Sequence, residues 1–343
     1  MARRPNKAVG IDIGTTSIRI VEGNRRGTDF SIDRAYEYMF NEEVMRDGLP
    51  EEVDVLGIHL QRAMKQLGGS KEVTMSVPST AIMTYNAVID ENLKGDELFT
   101  TLEANLGQYI PFSADEVMMD CQIIGSSIEE EYKNEVLIVA AEKEFVNSRS
   151  LSSEIAGLEV KIVDADIYAL TTLLGLKYDF SNFIKQDAIV YIESGVFRTG
   201  FFILKGDGTI YAREMPIGGD RLTEMISDEL DISMDDAEIQ KLNADWESNP
   251  ILAKCKEAFI EEMVIQVQSA MHAYVPNNPQ VSLKQIFVTG GGALVPGFVE
   301  ALSGSLDRAV ERINPSDMVQ FNVPGVQAEK FAIACGLAVR SML

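Results

Sequence analysis

Cysteine and histidine are both scarce in this sequence, three and two among 343 residues. Cys121, Cys255 and Cys335 are widely spaced and odd in number, which excludes a disulfide framework and offers no CxxC metal site. His59 and His272 are equally scattered, so no zinc ligand cluster is in view. A reduced, cytoplasmic compartment is the expectation. Long apolar runs are missing as well: no segment approaches the roughly 20 residues of a membrane-spanning helix. The opening "MARRPNK" is basic, but "AVGIDIGTTS" follows it where a secretory leader would carry a continuous apolar stretch, so it reads as a ragged, solvated start. Basic residues are in deficit overall, 30 Lys and Arg against 53 Asp and Glu, for a formal net charge of −23. Such a chain repels phosphate backbones and anionic lipid, so neither nucleic acid nor direct membrane insertion is expected.

What is present is apolar residue in plenty, 46% of the chain, at a length that suits two lobes rather than one core. The stretch "VGIDIGTTSIRIVEG", residues 9–23, runs from an apolar strand through Asp12 and Gly14 into Thr15, Thr16 and Ser17. After it, Ile18, Ile20 and Glu22 alternate with Arg19, Val21 and Gly23, the period of a second strand. The glycine turn is therefore a β-hairpin tip, unlike the strand-to-helix turns of dinucleotide folds and P-loops.

The pattern recurs. "DAIVYIESGVFRTGFFILKGDGTIYAREMPIGG", residues 187–219, again sets an acid two residues before a glycine, so that Asp12 aligns with Glu193 and Gly14 with Gly195. Each tip can present backbone N–H groups to phosphate oxygens, with glycine permitting close approach. A carboxylate at such a tip makes sense if Mg²⁺ stands between it and the phosphates, and Asp12 and Glu193 are expected to share one such ion across a cleft. Either hairpin alone also reads as an ordinary turn with an acid in it. Further on, "QIFVTGGGALVPGF" leads a strand into Gly290, Gly291 and Gly292 and then into a helix with Phe298, Leu302 and Leu306 on one side. Successive glycines leave room for a flat ligand against the backbone.

Three such elements in this order resemble the actin, Hsp70 and sugar-kinase superfamily. Within it, "SVPSTAIMTYNAVI", "LGQYIPFSADEVMMDCQII", "VLIVAAEKEFV", "AGLEVKIVDADIYAL", "REMPIGGDRLTEMI" and "FAIACGLAVR" are similar to successive segments of the PilM family, the actin-like cytoplasmic components of type IV pilus assembly, from about residue 8 onward. The resemblance implies an α/β, actin-like fold with two duplicated, ribonuclease H-like lobes and ATP with Mg²⁺ as cofactor. It places Gly14, Thr15, Thr16 and Ser17 on phosphates, and Arg19 where relatives usually carry lysine. Glu193, one methylene longer than the usual aspartate, would reach the metal through water, beside Gly195. Asp166 stands where polymerising relatives position the attacking water with a glutamate. Both acids differ in length from those expected, so nucleotide binding is better supported than turnover. Gly218 and Gly219 open a helix with Asp220 as a plausible cap, and Glu224 stands at a ribose or adenine contact or, equally, is a solvated helix acid.

The implied layout is a first lobe at 1–70 and 159–175, an inserted α+β subdomain at 71–158, a second lobe at 176–330 and a C-terminal helix at 331–343 returning to the first. Inside the insertion, "KEVTMSVPS" and "NEVLIVAAEK" read as strands, with Leu98, Leu102 and Leu106 on one helix face. The resemblance further implies a groove beside this subdomain for the cytoplasmic N-terminal peptide of the membrane protein PilN, with Tyr109 and Phe112 around Pro111 either lining it or packed in the core. That partner would recruit the chain to the inner face of the inner membrane. Other platform proteins, motor ATPases, self-association and a role in twitching motility stay open. A small-molecule kinase would need a catalytic aspartate and polar substrate ligands that no segment offers. An FtsA-like filament would end in a linker and a basic amphipathic helix, whereas this sequence stops at "VRSML".

Overall fold

A computed structural model describes residues 5–343; the arginines of the basic start, Arg3 and Arg4, lie outside the described residues. The chain divides into two compact units. The first holds the described residues up to Gln186 together with Leu204–Tyr211 and Asn314–Leu343, and the second holds Asp187–Ile203 and Ala212–Ile313.

In the first unit a six-stranded sheet runs in the order Glu159–Ala165, Glu72–Val77, Lys7–Ile13, Ser17–Arg26, Asp29–Met39, Gln320–Phe321. Lys7–Ile13 pairs antiparallel with Ser17–Arg26, which sets Asp12 opposite Arg19 and makes residues 14–16 a hairpin tip. On its other side it runs parallel to Glu72–Val77, which in turn runs parallel to Glu159–Ala165. The alternation at 18–23 does not produce one wet face. Ile18 and Ile20 join the cluster around Leu56 and Leu60 of helix Val53–Leu67. Gly23, on the other face with Val21, backs onto the C-terminal helix Ala332–Met342, where an added Cβ would lie 2.9 Å from Met342 Cε. Helices on both faces bury strands on both faces, and apolar alternation disappears.

That C-terminal helix is buried almost all round. Its backbone lies directly on the central strand: a Cβ on Gly10 would stand 2.1 Å from Ala334 O and 2.7 Å from Ala338 N. The same device docks it on helix Asp166–Leu174, since a Cβ on Gly336 would stand 2.1 Å from Ala169 O.

A separate three-stranded antiparallel sheet orders Ile82–Asp90, Lys133–Glu142, Val117–Ser126. Helix Gly95–Ala104 and the turn after it place Leu98, Leu102 and Leu106 in one core with Ala87, Val136 and Ile138. Tyr109 and Phe112 pack half-buried against that core, the Tyr109 ring 5.6 Å from that of the exposed Tyr85. The strand expected from "KEVTMSVPS" belongs to the six-stranded sheet instead, because Val73 to Val77 are buried without a break between two parallel neighbours.

A five-stranded sheet, all in the second unit except the hairpin end at Leu204–Tyr211, orders Ile210–Met215, Thr199–Lys205, Asp187–Ser194, Ser282–Thr289, Val310–Arg312, the last three mutually parallel. The unit's long helix, Pro250–Tyr274, starts where the Asn249 side chain accepts from Ile251 N and Leu252 N, with proline in the first turn. Leu252, Cys255, Phe259, Met263, Val267, Ala270, Met271 and Tyr274 recur at helical spacing and are its buried stripe.

Gly10→Ala and Gly336→Ala are expected to destabilise the chain by about 1–3 kcal/mol or more, because a backbone carbonyl must move to admit the methyl. Gly107→Ala, where nothing lies within 4 Å of the new Cβ, should change stability by less than about 0.5 kcal/mol. Urea unfolding followed by circular dichroism checks this, and equal midpoints for all three variants would refute the backbone-contact reading.

Candidate functional site

The first hairpin tip closes on itself. Gly14 N donates to Ser17 O at 2.9 Å, and Phe40 N donates to Thr16 O at 2.9 Å. The Gly14 amide is thus spent within the turn, and the amides of Thr15 and Thr16 are those the tip can present to a ligand. Asp12 is buried at the strand end, 3.5 Å from an Arg19 guanidinium nitrogen. Arg19 also donates from Nε to Glu37 at 3.0 Å, and Lys330 Nζ stands 3.4 Å from the other Glu37 oxygen. Burial raises the Asp12 carboxyl above its ordinary value despite the opposing pull of Arg19. Arg19 is a link between two acids of its own sheet, a geometry its fork allows and a lysine would not reproduce.

The neighbouring parallel strands end beside this tip, and "DAD" splits there into two roles. Asp164 Oδ1 accepts from Ala165 N at 2.8 Å, and Oδ2 stands 3.4 Å from Arg340 Nε of the C-terminal helix. Asp166 begins its helix, whose next amide, Ile167 N, donates to Ser79 Oγ at 2.9 Å. Asp164 belongs to helix docking, and Asp166 is half-buried at a helix start. Buried nearby in the first unit is Arg149, 1% exposed, a residue that sequence reasoning passed over; its guanidinium donates to Ser76 O and Gly48 O, and the negative charges of Asp166 and Asp12 partly oppose the effect of its burial. Its helix, Lys143–Ile155, surrounds it with Ser148, Ser152 and Ser153, all buried. A lone arginine among small residues was the available signal.

In the second unit the turn repeats. Gly195 N donates to Arg198 O at 2.9 Å, the same three-residue closure as Gly14 to Ser17. Two glycine segments converge on this tip. Gly219 N donates to Gly195 O at 2.9 Å and Asp220 N to Val196 O at 2.8 Å, while a Cβ on Gly218 would fall 2.3 Å from Val196 O. A Cβ on Gly290 would fall 2.3 Å from Ser194 O, and one on Gly292 would fall 2.0 Å from Ser194 Oγ. Gly291 alone faces open space. Glu193 is half-buried on the strand that ends at this tip, in register with Thr289 of the strand leading into Gly290. The tip itself differs from the first, carrying Val196 and an exposed Phe197 where hydroxyl residues stand in the first unit.

Beyond Gly219, helix Gly219–Leu230 turns Glu224 outward into an ion pair with Arg221 at 3.1 Å. The inward side carries residues the sequence did not single out. Lys241 Nζ donates to Gly219 O at 3.1 Å and to Thr223 Oγ1 at 2.7 Å, and Thr223 Oγ1 donates to Glu238 at 2.6 Å. Lys241 is a fixed cation at the glycine pair, placed by a separate helix further along the chain, so no local motif announced it.

Among the described residues, no group of three or more His, Cys, Asp or Glu side chains is arranged to hold a metal ion. One carboxylate such as Asp12, with waters and phosphates completing the shell, fits Mg²⁺ rather than a resident structural metal.

A family profile described as "Type IV pilus assembly protein PilM" matches residues 10–342. The chain belongs to the PilM family. Its fold is actin-like. The structure of a PilM-PilN type IV pilus biogenesis complex superposes with a TM-score of 0.78 at 19% identity, covering 99% of each chain. The ethanolamine utilization protein EutJ from Carboxydothermus hydrogenoformans follows at 0.58 and 16% identity, over 98% of this chain and 90% of that one. MreB 5 of Spiroplasma citri bound to AMPPNP gives 0.51 at 11% identity, over 98% and 95%. The PilM assignment agrees with the α/β sheets and glycine turns described above. Among the described residues no helix is long and apolar enough to cross a membrane.

Burial raises the Asp164 carboxyl, and Arg340 only partly offsets it. A carboxyl raised in the folded state costs stability above its ordinary value of 3.8, where the unfolded chain has already ionised. Asp164→Asn is therefore expected to be more stable than wild type at neutral pH, with the gain fading as the pH falls towards 3.8. Thermal melts across that range test the sign.

Proposed function

We propose that this PilM-family chain is the ATP-binding, actin-like component of a pilus assembly platform and captures the cytoplasmic N-terminal peptide of a PilN partner. The observation that carries the nucleotide reading is the convergence of Gly218–Gly219 and Gly290–Gly292 on a hairpin tip built like the first one. Glycine is enforced by contact at Gly218, Gly290 and Gly292, yet Gly291 is left open, the arrangement of a shelf for a flat group. Thr15 and Thr16 supply amides for phosphate, and Asp12 would hold Mg²⁺ through water. That ion, when bound, would neutralise phosphate charge. Asp166 is the candidate for positioning a water, and weak hydrolysis is expected of it. The nucleotide seen with the similar MreB 5 supports the same reading.

Titration calorimetry with ATP and Mg²⁺ should show binding. Asp12→Ala should weaken its Mg²⁺-dependent part, and Gly291→Asp should obstruct the shelf while leaving the fold intact, because no protein atom lies within 4 Å of the new Cβ. Unchanged affinity in both variants would refute the site.

For the partner, the similar PilM-PilN complex supports peptide binding, and Tyr109 and Phe112, half-buried against the core of the three-stranded sheet, are the anchors this reading assigns to it. A short peptide that orders on binding needs apolar anchors to offset lost entropy. A labelled N-terminal PilN peptide should bind in fluorescence anisotropy, and Tyr109→Ala with Phe112→Ala should weaken it about tenfold or more, the effect of losing anchor residues. Equal binding by a folded variant would put the groove elsewhere.

A further inference from the structure

We propose that a groove in the second unit, between helix Pro250–Tyr274 and the start of helix Phe298–Leu306, docks a basic amphipathic helix of a partner protein. It is built from residues that neither the ATP reading nor the PilN reading uses.

The long helix carries two apolar stripes. One is the buried stripe from Leu252 to Tyr274 that forms the core. Ile260 and Val264 belong to the other and are only half-buried; with Glu257 and Glu261 they fall at i, i+3, i+4 and i+7, one side of a helix. Facing them across a space of about 430 Å³ are Pro296, Gly297 and Ala301. Gly297 opens the shorter helix at φ +90, and the place of its missing Cβ is 3.6 Å from Ile260 Cδ1, so a side chain there would be strained and would narrow the groove. Beside Val264, Ile265 is 54% exposed and extends the apolar surface. The wall from Lys256 to Val264 is roughly 12 Å long at about 1.5 Å per residue, two helical turns of contact. That volume is at the small end of ligand pockets and suits one or two large side chains of a partner.

The walls decide what kind of segment fits. Both are built on helices, whose main-chain groups are paired internally, so no strand edge is offered. A docking segment must satisfy its own backbone, which a helix does. Charge decides its composition. Glu257 and Glu261 are exposed, and neither has an ion pair among the described residues, whereas Glu262 of the same helix is paired with Arg221. Two carboxylates one turn apart repel each other, and Lys256 is the single cation lining the groove among the described residues. Lysine or arginine flanking the partner's apolar side would relieve that repulsion. A second copy of this chain would bring the same acidic rim and a net charge of −23, so charge opposes self-docking there.

The test uses the full chain with labelled isoleucine and valine methyls and a synthetic amphipathic peptide of leucine and lysine, about four helical turns long. Its counterpart carries glutamate for every lysine. The methyl signals of Ile260, Val264 and Ile265 should move with the lysine peptide and stay still with the glutamate one. In fluorescence anisotropy, Ala301→Trp, which fills the groove, should weaken lysine-peptide binding about tenfold or more. Glu257→Gln with Glu261→Gln should weaken it and flatten its salt dependence. Both glutamates are exposed, so this second variant decides the matter if Ala301→Trp does not fold. No binding by wild type, shifts spread over methyls elsewhere, equal binding of the two peptides, or equal binding by folded variants would each overturn the proposal. So would a concentration-dependent dimer in sedimentation that Ala301→Trp abolishes, since it would give the groove to a second copy.

Discussion

Backbone packed on backbone, with glycine where a side chain would otherwise intervene, is the constraint on which both units depend. In the first, the C-terminal helix rests on Gly10 of the central strand and on Ala169 through Gly336. In the second, Gly218, Gly290 and Gly292 rest on residues 194–196 of the hairpin tip. Interiors this dense do not deform continuously, so each contact fixes the position of the next segment along the chain. The Asp12 strand end owes its place to the first set, and the Glu193 tip to the second.

The same close packing holds individual cations in place within a strongly acidic chain. Net charge governs long-range approach, and −23 disfavours polyanions in general. A buried site answers to its local charges. In the first unit Arg19 is held between Asp12 and Glu37, with Lys330 on Glu37; in the second, Lys241 is held at Gly219 and paired with Glu238. These cations are locked in place by hydrogen bonds.

Much of this was legible in order along the chain. The acid-x-glycine hairpins, their repetition and the glycine triplet are local patterns, because a tight turn and the residues that permit it are neighbours in sequence. The closure of both turns, Gly14 to Ser17 and Gly195 to Arg198, follows from that spacing. The helix at 95–104 and the helix at 298–306 were likewise announced by their apolar periods. The strand at Glu72–Val77 is recognisable as a strand but not assignable to its sheet, since a buried strand looks the same in either.

By itself, then, the sequence determined the two acid-x-glycine hairpin turns, the glycine triplet and the PilM kinship, all carried by residues close together along the chain. Tertiary structure alone decided that Arg19 is shared between Asp12 and Glu37, that Asp164 docks one helix while Asp166 opens another, and that Lys241 stands at the glycine pair while Glu224 pairs with Arg221. Each of these partners lies on a different strand or helix. Charge pairing depends on distance and burial, and neither is written in the order of residues until the chain has folded.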